Sequence, residues 1–222
     1  MDTRSHAARL WFVVMLVAGI SGATDRVQAA AIGAQLGADR SGVDGDTPPN
    51  STYTDEFGLV AGLQGEFGVA HDLSLSLQPS FVQIKSGVSI APATRNGSPT
   101  EFDLAVDYVS IPVVVKFTQA SGRTYVSGGV TVDFLTAATL SGQGPDRDIK
   151  SAYTSTGLGA LLGFGVVFPA GRTRLTTELR FVQGLSNMHT GSVSEATGAL
   201  APRLLSSGLQ LIVGTLLPVG RP

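Results

Sequence analysis

From residue 30 onward, the chain repeats segments of about ten residues in which large apolar side chains alternate with small or polar ones. A period of two is typical of a β-strand whose two faces meet different environments. In one segment, Leu158, Leu162 and Phe164 share one face, whereas Gly159 and Gly163 share the other. The pattern predicts eight strands, over residues 30–38, 57–69, 73–85, 104–118, 124–135, 153–168, 174–184 and 204–217.

The links between these segments alternate between long and short. The long links are residues 39–56, 86–103, 136–152 and 185–203, and the links between them are tight turns. A meander in which every second turn is tight places all the long loops at one end, as in outer-membrane barrels. We therefore predict an all-β fold, an eight-stranded antiparallel up-and-down transmembrane β-barrel, with both ends of the barrel domain at the short-turn end.

The composition indicates which face of the strands points outward. Charged residues make up 14% of the chain, well below the roughly 25% of an average soluble protein. A soluble barrel would need a more charged exterior, whereas uncharged aliphatic faces suit hydrocarbon, where a closed barrel pairs every backbone group. We expect the apolar face to contact the lipid of a bacterial outer membrane. A soluble periplasmic ligand-binding barrel is the alternative.

Residues 1–29 have the pattern of a secretory signal peptide. Arg4 and Arg9 precede an apolar run over residues 10–20, which is too short to span a bilayer. We expect cleavage after Ala29, or alternatively after Ala23, so that residues 30–222 form the barrel domain. The net charge of −2 and the lack of a basic stripe argue against a nucleic-acid partner.

Five charged side chains fall on the predicted inner face of the barrel: Glu66, Lys116, Asp133, Glu178 and Arg180. Buried charges are usually paired, so we expect them to form a charge network that plugs the lumen. The interior of an eight-stranded barrel is only wide enough to be filled by side chains. We therefore expect a plugged barrel rather than an open diffusion pore.

The segment from Asp107 to Phe117 contains Ile111-Pro112, then aliphatic residues and Lys116. It resembles a strand of the outer-membrane β-barrel domain family that is often described as PorT-like, and more broadly the small OmpA-like barrels. The resemblance covers residues 30–217 and implies the barrel fold, an outer-membrane location, and membrane lipid and the barrel-assembly machinery as partners. Only some members of that family are linked to secretion. A component of a secretion or transport system is therefore the alternative to a structural or surface-interaction role.

Two details of the resemblance lead to structural expectations. Ser110 stands where the family usually has an acidic residue facing Lys116, so the interior contacts are expected to differ here. Pro79 and Pro112 are unusual residues for central strands. Because both recur in the family, we expect a local bulge at each of them.

No residue pattern in the sequence is diagnostic of catalysis. His189 could belong to a hydrolase at the barrel rim, together with Ser186, Ser192 or Glu195, but a solvated loop histidine is the simpler interpretation. Asp44, Asp46 and Asp55 could bind a divalent cation, although Asp44-Gly45-Asp46 is also an ordinary turn. We predict no enzyme activity, no cofactor and no metal site, and we assign any surface interaction to the four long loops.

Overall fold

The computed structural model describes residues 28–45, 51–91, 99–142, 144–188 and 204–219. The predicted signal peptide lies outside these residues, except for Gln28 and Ala29, which begin the first strand. Among the described residues, no helix has the length and hydropathy needed to cross a membrane. The strands are β1 (Gln28–Gly45), β2 (Ser51–Ala70), β3 (Leu73–Leu77), β4 (Ser80–Ile90), β5 (Thr100–Thr118), β6 (Thr124–Ser141), β7 (Arg147–Asp148), β8 (Thr156–Ala170), β9 (Thr173–Gly184) and β10 (Leu204–Val219).

These strands form one antiparallel sheet that closes on itself. The order around the ring is β1, β2, β3 with β4, β5, β6, β8, β9 and β10, and β10 pairs back with β1. β3 and β4 are two halves of one barrel strand, because both pair with β2 and with β5. The two-residue β7 pairs with the far end of β6. The predicted ring of eight antiparallel strands in up-and-down order is therefore confirmed.

The prediction of a bulge at Pro79 and at Pro112 is wrong, because neither proline interrupts the register. The register of the strand pairs is the same on both sides of each proline. Pro112 cannot donate a backbone hydrogen bond, but Gln78 N still donates to Pro112 O at 3.0 Å. The Ser80 hydroxyl donates to Gln78 O at 3.2 Å and takes the place of the missing proline N–H. A side chain therefore lets the strand continue without a shift.

A register shift occurs instead between β5 and β6. Asp107 pairs with Ala137 and Tyr108 pairs with Leu135, which leaves Thr136 as the extra residue of β6. The Thr136 hydroxyl donates to Asp107 O at 2.9 Å. An extra residue of this kind bends the strand and increases its twist.

The strands are longer at the long-loop end than the alternation predicts. β1, β2, β4, β5 and β6 all continue into the ranges 39–56, 86–103 and 136–152, which were predicted as loops. The sixth barrel strand begins at Thr156 rather than at Tyr153, because a 3-10 turn at Lys150–Ala152 precedes it. The wall formed by β8 and β9 is shorter at this end, whereas β10 reaches the last residue of β1.

Large apolar side chains form a continuous belt around the outside of the barrel. Leu162, near the middle of this belt, is 69% exposed. On β5 the outward face is apolar from Val109 to Phe117. The next position of this face toward the long-loop end is the half-buried Asp107. A stretch of about ten residues per tilted strand, with its outward side chains apolar, matches the hydrocarbon thickness of a membrane. Membrane lipid is therefore the environment that this face fits.

The backbones of β1 and β10 come very close at Gly33. A Cβ atom added to Gly33 would lie 1.5 Å from Thr215 O, so one of the two strands would have to move. Overpacking typically costs about 1–3 kcal/mol, and here the obstacle is backbone. We expect Gly33→Ala to reduce strongly the fraction that refolds to the heat-modifiable form in detergent, as measured by gel mobility before and after boiling.

Gly144→Ala is the matched control, because a Cβ atom at Gly144 would have nothing within 4 Å. We expect this variant to refold as well as the natural chain. Equal refolding of the two variants would show that β1 and β10 leave room for a methyl group at Gly33.

Candidate functional site in the barrel lumen

An ionic cluster lies in the lumen at the short-turn end of the barrel. Glu66 on β2 accepts from Lys116 Nζ on β5 at 3.2 Å and from Arg174 Nη2 on β9 at 3.3 Å. Lys116 Nζ also lies 5.0 Å from the centroid of the Tyr125 ring, which is within reach of a cation–π interaction. We call Glu66, Lys116 and Arg174 the lower cluster.

A second cluster, the upper cluster, consists of Glu178, Arg180, Tyr125, Ser127 and Gln78. Arg180 Nε donates to Glu178 Oε1 at 2.9 Å, and Arg180 Nη2 donates to Gln78 Oε1 at 2.6 Å. The Tyr125 and Ser127 hydroxyls donate to Glu178 at 2.8 and 2.9 Å. Glu178 and Arg180 are 4% and 2% exposed, so both charges are nearly removed from water. Each of them is held by several hydrogen bonds, as buried charges require.

Four of the five charged residues that the sequence placed inside thus form two ion pairs, and Asp133 stands apart. Its carboxylate accepts from the Ser110 hydroxyl at 2.6 Å and from the Thr131 hydroxyl at 2.7 Å. Ser110 contacts Asp133 and Thr131 rather than Lys116. In the part of the chain that the structure describes, no Lys, Arg or His lies within 4.0 Å of Asp133.

A cavity of about 70 Å³ lies in the lumen beyond the upper cluster, toward the long-loop end. Arg180 contributes to its floor, and Asp39 on β1 and Asp133 on β6 contribute to opposite sides of the ring. Buried apolar side chains form part of the remaining wall, among them Tyr108, Leu161 and Met188. The cavity is therefore both acidic and apolar.

Asp39 is the most unusual polar group in this cavity. It is 1% exposed, and its Oδ2 atom accepts a hydrogen bond from the Ser41 hydroxyl. Its Oδ1 atom has no hydrogen-bond partner among the described residues. A buried polar atom without a partner is costly, and such an atom in a native structure calls for a physical explanation.

Sequence reasoning missed several residues of the lumen. Asp39 was assigned to the first loop, although it continues the inward series of Gln35 and Gly37 on β1. Arg174 lies four residues before Glu178 on β9 and therefore on the same face of the strand, so the alternation could have placed it inside. Tyr125 likewise lies on the same face of β6 as Ser127, and it was not considered as a partner for a carboxylate.

Of the residues considered for chemistry outside the lumen, those that the structure describes do not form a site. The His71 side chain is 91% exposed, in the tight turn between β2 and β3. His189 and Asp46 lie outside the described residues, and Asp55 is exposed on β2. Within the ranges that the structure describes, no three His, Cys, Asp or Glu side chains come together in a way that could hold a metal ion.

Solved structures with a similar chain path are outer-membrane proteins. Ail, the attachment invasion locus protein of Yersinia pestis, has 14% identity and a TM-score of 0.47, and the match covers 86% of this chain and 100% of Ail. Neisserial surface protein A has 14% identity and a TM-score of 0.46, with 85% and 99% covered. OprG from Pseudomonas aeruginosa has 11% identity and a TM-score of 0.45, with 88% and 98% covered.

The comparison with curated protein sequences finds no match. The sequence model of a family described as "outer membrane protein beta-barrel domain" matches residues 23–190, which is more than half of the chain. This match agrees with the closed ring of strands and with the apolar belt around it. The chain therefore belongs to the outer membrane β-barrel domain family and is an integral protein of the bacterial outer membrane.

Proposed function

We propose that the chain is a closed outer-membrane barrel with a structural or surface-interaction role, and that no solute passes through its lumen. The observation that carries this proposal is the pair of ionic clusters across the lumen. The lower cluster joins β2, β5 and β9, and the upper cluster joins β6, β9 and Gln78 between β3 and β4. In a barrel of this size, side chains that meet across the interior leave no room for an aqueous channel.

The surface role is supported by how much of the chain lies beyond the apolar belt at the long-loop end. β1, β2, β4, β5 and β6 continue past the belt as paired strands, so they hold the loops on a rigid base. Loops on a rigid scaffold are where recognition residues concentrate. We therefore assign partner binding to the segments 39–56, 86–103, 136–152 and 185–203, and insertion into the membrane to the barrel-assembly machinery.

Conductance across a planar lipid bilayer tests the closed lumen. We expect the natural chain to give no current steps above the lipid background. We expect the double variant Glu178→Ala with Arg180→Ala to give small steps, because it removes two charged side chains that fill the middle of the lumen. Arg172→Ala, in the exposed turn before β9, is the control and should behave like the natural chain.

Steady current steps from the natural chain would contradict the closed lumen. That result would favour the alternative of a component of a secretion or transport system.

A further inference from the structure

We propose that the lumenal cavity beyond the upper cluster binds a small organic cation, such as a short alkylammonium ion, with Asp39 and Asp133 as its anionic partners. This site would be entered from the long-loop end and would stop at the floor formed by Arg180. It is compatible with a closed lumen, since the ionic clusters lie below it. Ligand binding and conductance are separate measurements, so the failure of one proposal does not decide the other.

The charge balance of the cavity is the first argument. Asp39 and Asp133 line it, and no Lys, Arg or His among the described residues lies within 4.0 Å of either carboxylate. Arg180 also lines the cavity, but its hydrogen bonds go to Glu178 and Gln78. A carboxylate that stays ionised when it is removed from water needs a compensating charge. A bound cation would supply it.

The hydrogen bonds of the two carboxylates are the second argument. Asp39 Oδ1 is buried and accepts no hydrogen bond from the described residues, so protein donors offset the negative charge of Asp39 only through Oδ2. Asp133 accepts from two hydroxyl groups through Oδ1, and a carboxylate has acceptor sites on both oxygens. An ammonium group has three N–H donors, which suits a site with acceptors on two walls.

The apolar part of the wall indicates an organic cation rather than a metal ion. Tyr108, Leu161 and Met188 are buried and line the same cavity. Divalent cations such as Ca²⁺ take six to eight oxygen ligands, several of them carboxylates, whereas among the described residues no three His, Cys, Asp or Glu side chains come together. An alkyl chain, in contrast, gains from contact with apolar side chains. The volume of about 70 Å³ restricts the ligand to a short chain.

Met188 provides a direct probe of binding. It is the only methionine in residues 30–222, and its side chain is buried at the cavity wall. In the refolded barrel with ¹³C-methyl methionine, the Met188 methyl resonance can be followed while n-butylammonium, 1-butanol or butanoate is added. We expect a saturable shift with n-butylammonium, binding of 1-butanol that is weaker by about tenfold or more, and no saturable shift with butanoate.

Asparagine variants test the two carboxylates. We expect Asp39→Asn and Asp133→Asn each to weaken n-butylammonium binding by about tenfold or more, since each removes a negative charge from the wall of the cavity. Asp103→Asn, on the exposed part of β5, is the matched control and should leave binding unchanged. Gel mobility before and after boiling establishes that each variant is folded.

Two results would overturn the proposal. One is equal affinity of the natural chain for n-butylammonium and 1-butanol, which needs no variant. The other is unchanged n-butylammonium binding in folded Asp39→Asn and Asp133→Asn.

Discussion

Replacing Arg180 by alanine is expected to lower the free energy of unfolding by about 3–5 kcal/mol, because Glu178 would stay buried without its ion-pair partner. Both side chains are almost fully buried, and Arg180 Nε lies 2.9 Å from Glu178 Oε1. The variant also leaves Gln78 Oε1 without its donor. Urea unfolding of the barrel in phospholipid vesicles, followed by gel mobility, measures the loss.

Arg174→Ala is the matched control for that experiment. Arg174 is more exposed than Arg180, and its partner Glu66 keeps the second cation, Lys116. A partly exposed pair of this kind contributes about 1 kcal/mol or less. Equal losses from Arg174→Ala and Arg180→Ala would mean that the upper cluster is open to water.

Replacing Leu162 by arginine is expected to lower the free energy of unfolding by about 2–4 kcal/mol, because the new charge would face lipid near the middle of the bilayer. Leu162 points outward on β8, between Leu158 and Phe168 at the two ends of the belt. The same unfolding assay in phospholipid vesicles measures the effect.

Leu185→Arg gives the depth control for this substitution. Leu185 is also exposed, but it follows the end of β9 at the long-loop end of the belt. Charges near the membrane surface cost about 0–1 kcal/mol. A small and equal effect at both positions would mean that the apolar face of β8 does not contact hydrocarbon.

The alternation of side chains predicts the barrel strands because lipid outside and packed polar groups inside impose opposite demands on neighbouring residues. This contrast disappears beyond the apolar belt. Residues 100–103 and 136–141 are paired strand, but their outer face meets water, so they have the composition of loops. Strand ends outside the membrane therefore cannot be located from the alternation alone.

The prolines show a second limit of the sequence. The periodic pattern indicates that Pro112 interrupts a ladder, but it does not show that the Ser80 hydroxyl supplies a replacement donor. The need for that donor arises only because Gln78 lies opposite Pro112, and this depends on the register between two strands, which is a property of the whole ring. The register shift between β5 and β6, at Thr136, has no proline or glycine to mark it.

The contacts inside the lumen were predicted only in part, because they too depend on the register between strands. Parity along each strand placed Glu66, Lys116, Glu178 and Arg180 inside, but the pairing of these residues depends on how far each strand is displaced relative to its neighbours. Asp39 was missed because β1 continues past the point where its pattern weakens. The residue that best distinguishes the cavity from the rest of the lumen was thus assigned to a loop.

The hydrogen bond from Arg180 to Gln78 has a mechanical consequence for the barrel. β9 and the β3–β4 strand lie on opposite sides of the ring, so this contact spans the full diameter of the barrel. Backbone hydrogen bonds tie each strand to its neighbours but leave the circular cross-section free to flatten into an ellipse. The Arg180–Gln78 contact across the diameter, together with the Arg174–Glu66 ion pair nearer the short-turn end, resists that flattening. The cavity above would then keep a constant width when lateral pressure in the membrane changes.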